Sequence, residues 1–176
     1  QLSHEIIHDL REIKTEKVCA QVNELVNLAH SEEINEVLLW DHSLYDIDYY
    51  PERFRTGPGG TIDLDNTEFW EWLKDDYRQM LDRVSEADGL VLTFIETGAY
   101  AERQFSKKMK SSEEKLAAVV NAISDVLIGE RKKKLYIRTF AYSEEEYKGT
   151  TGCIEYLKYD EVILMMKETP HDFFLT

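Results

Sequence analysis

The fold is decided by Leu90-Val91-Leu92-Thr93-Phe94-Ile95, a nearly all-apolar run that leads directly into Glu96-Thr97-Gly98. An apolar run of this length is typical of a strand that lies buried in a parallel sheet. On either side of it along the chain, three further apolar runs predict three more such strands, at residues 36–40, 135–140 and 161–166. Polar residues follow each run and mark the point where the strand is expected to end.

Segments with the periodicity of amphipathic helices separate these runs. The helical stretches are residues 15–29, 69–84 and 116–127, with a short acidic helix or turn from residue 143. Capping-box spacings predict the start of the second helix, at Asp65 with Glu68, and of the third, at Ser111 with Glu114. Gly129 is expected to end the third helix. This alternation of helix and strand predicts an α/β fold in which parallel strands are joined by crossover helices.

Composition limits the class of protein. The 176 residues fit one domain, and 43% apolar residues can supply an ordinary core, so we expect a single α/β domain over residues 1–176. The 21 basic and 35 acidic residues give a net charge of −14, which argues against nucleic-acid and anionic-membrane partners. No run of about 18 apolar residues exists, so no membrane span is predicted.

The two cysteines, Cys19 and Cys153, lie far apart, and neither belongs to a CxxC pair. Two buried free thiols are expected in a chain of this size, and a single disulfide is the alternative. No spacing typical of metal ligands accompanies the histidines. We therefore expect neither a metal nor another cofactor.

Polar side chains follow all four predicted strands. In parallel α/β folds, functional groups collect just beyond the carboxyl ends of the strands. These positions hold Asp41, His42, Glu96, Thr97, Arg138, Thr139, Lys167, Glu168, His171 and Asp172. Because such loops are polar in any case, each residue alone has a structural explanation, whereas the whole set predicts a site at this edge of the sheet.

Glu96 is the leading catalytic candidate, because it follows the central apolar run directly. A carboxyl at a buried strand end suits a general acid, and the alternatives are that it caps the next segment or pairs with an arginine. Asp41-His42 admits three interpretations: a metal-ligand pair, a histidine oriented by a carboxylate, or a substrate contact. Metal binding is the weakest of these, since no HxH or HExxH spacing accompanies the pair.

Tyr45 belongs to an aromatic loop after the first strand, with Tyr49, Tyr50 and Phe54 nearby. Its ring either stacks on the apolar face of a sugar or packs the loop onto the body of the domain. Arg138 and Lys167 have side chains that can bind a carboxylate, and arginine can do so through two parallel hydrogen bonds.

Five segments together resemble the middle of a bacterial glycoside hydrolase with a (β/α)8 barrel, and the nearest likeness is to the alpha-glucuronidase-like group. They are Leu39-Trp40-Asp41-His42, Pro51-Glu52-Arg53-Phe54, Phe69-Trp70-Glu71-Trp72-Leu73, residues 89–98 and Arg138-Thr139-Phe140. A complete barrel needs eight strands and roughly 200–250 residues. The resemblance therefore implies a partial TIM barrel of about four βα units, a fragment of a longer barrel. Its exposed outer strands would need the missing half or self-association to cover them.

The resemblance also implies a function. In such enzymes a strand-end glutamate is the general acid, which matches Glu96, and a basic cluster that receives the sugar carboxylate matches Arg138 and Lys167. Asp41 and Glu168 are the candidates for the second catalytic carboxyl. The other residues expected to contact the carbohydrate are His42, Tyr45, His171 and Asp172.

Three functions are consistent with this resemblance. The first is hydrolysis of a carbohydrate, with a uronic acid as the sugar that suits the basic cluster. The alternatives are a non-catalytic module for carbohydrate binding or assembly, and an inactive barrel fragment. Polysaccharide-degrading enzymes are often exported, so a periplasmic or extracellular location is the expectation, although no apolar signal core follows Gln1.

Overall fold

Helices and strands alternate along the chain as the periodicity predicts. A computed structural model describes residues 16–166. Its helices and strands, in chain order, are α1 (Glu16–Ser31), β1 (Leu38–His42), α2 (Thr67–Arg83), β2 (Gly89–Thr93), α3 (Ser112–Ser124), β3 (Lys134–Arg138), α4 (Glu144–Gly152) and β4 (Ile163–Met165). The predicted α/β class is confirmed. Within this range, no helix combines the length and the apolarity needed to cross a membrane.

The four strands form one parallel sheet in the order β1-β2-β3-β4. In register, Trp40 pairs with Val91, Val91 with Tyr136, and Tyr136 with Ile163. Because parallel crossovers are right-handed, a strand order that follows the sequence puts the connecting helices on one face of the sheet. A doubly wound sheet differs, since its strand order reverses and its helices cover both faces.

The two faces of the sheet have different surroundings. One face packs into the main core with the helices through Leu39, Leu90, Leu92, Leu135 and Ile137. Alternate residues point the other way. They form what we call the open face, which carries Trp40, His42, Thr93, Tyr136 and Arg138. All of these except Thr93 are only partly buried, so the open face presents polar and aromatic groups from which a site can be built.

The aromatic segment after β1 packs against helix α2. The rings of Tyr50 and Phe54 each lie 5.8 Å from the ring of Phe69, which is fully buried on α2. Trp72, one turn further along the helix, lies 5.7 Å from Tyr50. Aromatic pairs at such distances contribute about 0.5–1.5 kcal/mol beyond the burial of their area. For Tyr50 and Phe54, packing onto the body of the domain is thus the observed arrangement.

The structure moves two predicted helix ends. At α2 the N-cap is Asn66, whose Oδ1 accepts a hydrogen bond from the Glu68 N–H at 2.9 Å. Asp65 was wrong as the cap, because its carboxylate instead accepts from the Ser106 hydroxyl at 2.7 Å and the Lys107 N–H at 2.6 Å. Gly129 was also wrong as a helix end, since α3 continues into a π-helical turn over Asp125–Glu130.

The predicted capping box of α3 is confirmed and carries a stability prediction. Ser111 Oγ accepts from the Glu114 N–H at 3.1 Å, and the Glu114 carboxylate accepts from the Ser111 N–H at 3.0 Å. We expect Ser111→Ala to lower the free energy of unfolding by about 1 kcal/mol in urea denaturation. Ser85→Ala, at an exposed serine between α2 and β2, is the control, with an effect within about 0.5 kcal/mol. Equal losses in the two variants would contradict the capping role.

Both cysteines are free and buried, as predicted. Burial raises the pKa of Cys153 to about 12 and also raises the pKa of Cys19. At pH 8 a thiol of that pKa is ionised in about one molecule in ten thousand, and only the thiolate reacts with alkylating reagents. We expect iodoacetamide to leave Cys153 unlabelled in the native chain and to label both cysteines after unfolding, as read by peptide mass spectrometry. Rapid labelling of native Cys153 would contradict its burial.

Candidate functional site

His42 is fixed on the open face at the carboxyl ends of β1 and β2. Its Nδ1 atom lies 3.1 Å from the Ile95 carbonyl oxygen and 3.1 Å from the Thr93 hydroxyl. Because a carbonyl oxygen only accepts, the contact with Ile95 requires the proton on Nδ1. In the neutral ring Nε2 then carries the lone pair. The structure thus holds the predicted substrate-binding histidine in one orientation beside the end of β2.

Glu96 leaves the end of β2 in an unusual backbone conformation. Its φ is +63°, in the left-handed region that residues other than glycine seldom occupy. The side chain is solvent-exposed, and the Tyr142 hydroxyl donates a 2.5 Å hydrogen bond to its Oε1. A non-glycine residue in this region costs about 1–3 kcal/mol, and such residues cluster at functional sites. Tyr142, a residue that the sequence did not indicate, holds the carboxylate.

A second exposed carboxylate, Asp46, lies beside the turn that carries Glu96. A Cβ built at Gly98 would lie 2.2 Å from Asp46 Oδ1, so glycine is what permits this close approach. The Thr97 hydroxyl donates a 2.6 Å hydrogen bond to the Leu44 carbonyl and ties the two loops together. The sequence gives little sign of Asp46, because it does not follow β1 directly. Its one signal is that it is the next carboxylate along the chain after Asp41.

Asp41 and Tyr45 lie inside the protein rather than on the open face. Asp41 is fully buried, and its carboxylate accepts hydrogen bonds from the Tyr45 hydroxyl and, at 2.8 Å, from the His42 N–H. Tyr45 is also fully buried, with its ring 5.1 Å from that of Tyr49. By strand alternation Asp41 shares its face with Leu39, opposite His42. The Asp41–Tyr45 pair therefore has the geometry of an internal link between β1 and the loop that follows it.

Arg138 ends β3 on the open face, against two aromatic rings. Its guanidinium carbon lies 4.6 Å from the ring centroid of Trp40 and 5.1 Å from that of Phe140. The ring of Phe140 in turn lies 5.3 Å from that of Tyr142, the residue that holds Glu96. Phe140 therefore contacts both Arg138 and Tyr142. Stacking uses the faces of a guanidinium, whereas recognition of a carboxylate uses its in-plane N–H groups.

The other predicted site residues, Lys167, Glu168, His171 and Asp172, lie outside the described residues, and their roles stay predictions. Within residues 16–166, no group of three or more His, Cys, Asp or Glu side chains is arranged to hold a metal ion. No protein-family model, curated protein or solved structure matches the chain. The candidate site therefore consists of groups that lie at or after the carboxyl ends of β1, β2 and β3: His42, Asp46, Glu96, Arg138 and Tyr142.

Proposed function

We propose that this chain is a segment of a (β/α)8-barrel glycoside hydrolase that cleaves carbohydrate by general acid–base catalysis, with Glu96 as the acid. The observation that carries the proposal is Glu96 itself, an exposed carboxyl at the end of a parallel strand, held by Tyr142 on a strained backbone. The sheet supports the barrel, because four parallel strands in sequence order are half of its winding. Active sites of such barrels lie at the carboxyl ends of the strands.

Glycoside hydrolysis requires a second carboxyl group, and we assign that role to Asp46. In such enzymes the acid protonates the leaving glycosidic oxygen, while the second carboxylate either attacks the anomeric carbon or takes a proton from the attacking water. Asp46 is exposed and lies against the turn that follows Glu96. Asp41 suits a positioning role better, since it is fully buried and bonded to Tyr45. Glu168 stays the other prediction for the second carboxyl.

The substrate class follows from Arg138. A guanidinium binds a carboxylate through two parallel hydrogen bonds, and stacking on Trp40 and Phe140 sets the plane of this one. The exposed Tyr142 adds an aromatic surface on which the apolar face of a sugar ring can pack. In a chain with a net charge of −14, a cation at the site is what would favour an anionic sugar over a neutral one. We therefore propose a carbohydrate that carries a uronic acid.

Hydrolysis of defined oligosaccharides tests the proposal. The complete protein that contains this segment is incubated with oligosaccharides that carry a uronic acid and with their neutral counterparts, and new reducing ends are quantified. We expect cleavage of the acidic substrates, with Arg138→Gln raising their KM by about tenfold or more. Arg131→Gln, at an exposed arginine before β3, is the matched control and should leave KM unchanged. Absence of new reducing ends from every substrate would overturn hydrolysis.

Carbohydrate binding without cleavage is the second candidate function. The observation that favours it is the aromatic character of the open face, where Trp40 and Tyr136 are partly exposed and Tyr142 is exposed. Isothermal titration calorimetry with the same oligosaccharides separates the two candidates. Saturable binding with no new reducing ends would identify a binding module, whereas turnover would identify the hydrolase.

A further inference from the structure

A cavity of about 370 Å³ adjoins the Glu96–Tyr142 pair, and the proposed hydrolysis leaves it without a role. Its apolar walls are Phe94 and Ile95, which follow β2, and Leu116 from α3, and all three are buried. Ile95 directly precedes Glu96 in the chain, so the cavity borders the site but is lined by other side chains. Its volume lies in the range of small-molecule sites, about 300–1,000 Å³.

One carboxylate in the wall of this cavity accepts a hydrogen bond from its own backbone N–H and from no other described residue. Glu102 is partly buried there, and no other residue within 16–166 gives its carboxylate a hydrogen bond or a salt bridge. Burial raises the pKa of Glu102, as expected for a carboxyl that water solvates poorly. Its charged neighbours have other contacts. Glu146 accepts the Tyr142 N–H at 2.8 Å beside the capping box of α4. Arg103 also lines the cavity, and its guanidinium stacks on Tyr100 at 4.0 Å. Lys115 Nζ donates to the carbonyl oxygens of Glu102 and Gln104 at 3.0 and 2.6 Å.

We propose that this cavity binds a small organic ammonium ion with a compact apolar body, its cation against Glu102 and its body against the apolar walls. A partly buried carboxylate is stabilised when a cation supplies both charge and N–H donors. The hydroxyls of Ser112 and Thr150 line the same cavity and can accept further hydrogen bonds from an ammonium group. The proposal does not depend on hydrolysis, because none of these side chains belongs to the proposed catalytic groups.

Benzylammonium is the probe, since its ring suits the apolar walls and its charge suits Glu102. Isothermal titration calorimetry uses the whole chain at about pH 8, well above the ordinary pKa of a glutamate carboxyl. The buffer contains about 150 mM NaCl, which screens the general attraction of an acidic protein for cations. We expect one saturable site that binds benzylammonium at least about tenfold more tightly than benzyl alcohol, its neutral analogue. Glu102→Gln should weaken the binding about tenfold, whereas Glu155→Gln, at an exposed glutamate outside the cavity, should leave it unchanged.

Three results would each overturn the ammonium site. They are equal affinity for benzylammonium and benzyl alcohol, equal weakening in Glu102→Gln and Glu155→Gln, and no saturable binding up to about 20 mM probe. If Glu102→Gln does not fold, the comparison of the two probes on the unmodified chain decides the question without a variant. Unchanged probe binding in Glu96→Gln would show that the cavity acts independently of the hydrolytic site. Loss of binding in that variant would overturn the independence of the two sites.

Discussion

Glu96→Gln is expected to lower kcat for the best carbohydrate substrate by about 10²–10⁴-fold. An amide has nearly the same size as the carboxyl group and still accepts the Tyr142 hydrogen bond, but it does not supply a proton to the glycosidic oxygen. The loss should fall on kcat rather than on KM, because that proton is transferred only in the transition state. Steady-state kinetics should use a substrate with a sugar as leaving group, since an activated phenolate leaves without protonation.

Glu86→Gln is the matched control for this measurement. Glu86 is exposed in the loop that precedes β2, as Glu96 is exposed in the loop that follows it. The same substitution at the opposite end of the strand should therefore leave kcat and KM unchanged, and circular dichroism checks that both variants fold. An unchanged kcat in Glu96→Gln would remove Glu96 from catalysis. Asp46→Asn tests the second carboxyl in the same way, and we expect it to lower kcat by a similar factor.

Phe69→Ala is expected to lower the free energy of unfolding by about 3–5 kcal/mol. Phe69 is fully buried on α2, with its ring 5.8 Å from both Tyr50 and Phe54 and 5.0 Å from Trp70. Truncation removes the burial of the ring and leaves a cavity that three large neighbours are unable to fill by small shifts. Against a typical total stability of about 5–15 kcal/mol, this is a large fraction. Urea denaturation followed by circular dichroism measures it.

Two variants make the Phe69 result specific. Leu28→Ala, at a side chain that is 57% exposed on α1, removes a large apolar group from the surface and should change stability by no more than about 0.5 kcal/mol. Phe69→Leu keeps part of the buried volume and should cost less than Phe69→Ala. A loss below about 1 kcal/mol in Phe69→Ala would show that the aromatic segment does not pack on α2 as described.

The strands and helices are the part of this fold that local sequence predicts well. The runs at 90–95 and 135–140 contain the observed β2 and β3 except for their first residues. A short apolar run between two amphipathic helices is best explained as a buried strand. The errors are at element ends, where contacts from distant residues compete. Asp65 had the right spacing for a helix cap, but Ser106, far along the chain, provides its hydrogen bond.

The candidate site was predicted only in part, because contacts between residues distant in the chain complete it. Strand-end position alone indicated His42, Glu96 and Arg138, and all three lie at the carboxyl ends of the strands. It also indicated Asp41, which strand alternation turns away from the open face. Tyr142 reaches Glu96 across 46 residues of sequence, a contact that no local pattern contains.

Sequence by itself determined the α/β class, the parallel strands and the edge of the sheet where polar groups gather. These features follow from continuous apolar runs, from the 3.6-residue period of the helices and from short-range caps. Tertiary structure alone decided which face each strand-end side chain takes, how the loop after β1 brings Asp46 beside Gly98, and how Arg138 meets Trp40. These arrangements depend on the packing of segments that are distant in the chain. Packing is set by the shapes and volumes of all the partners together, which no single stretch of sequence specifies.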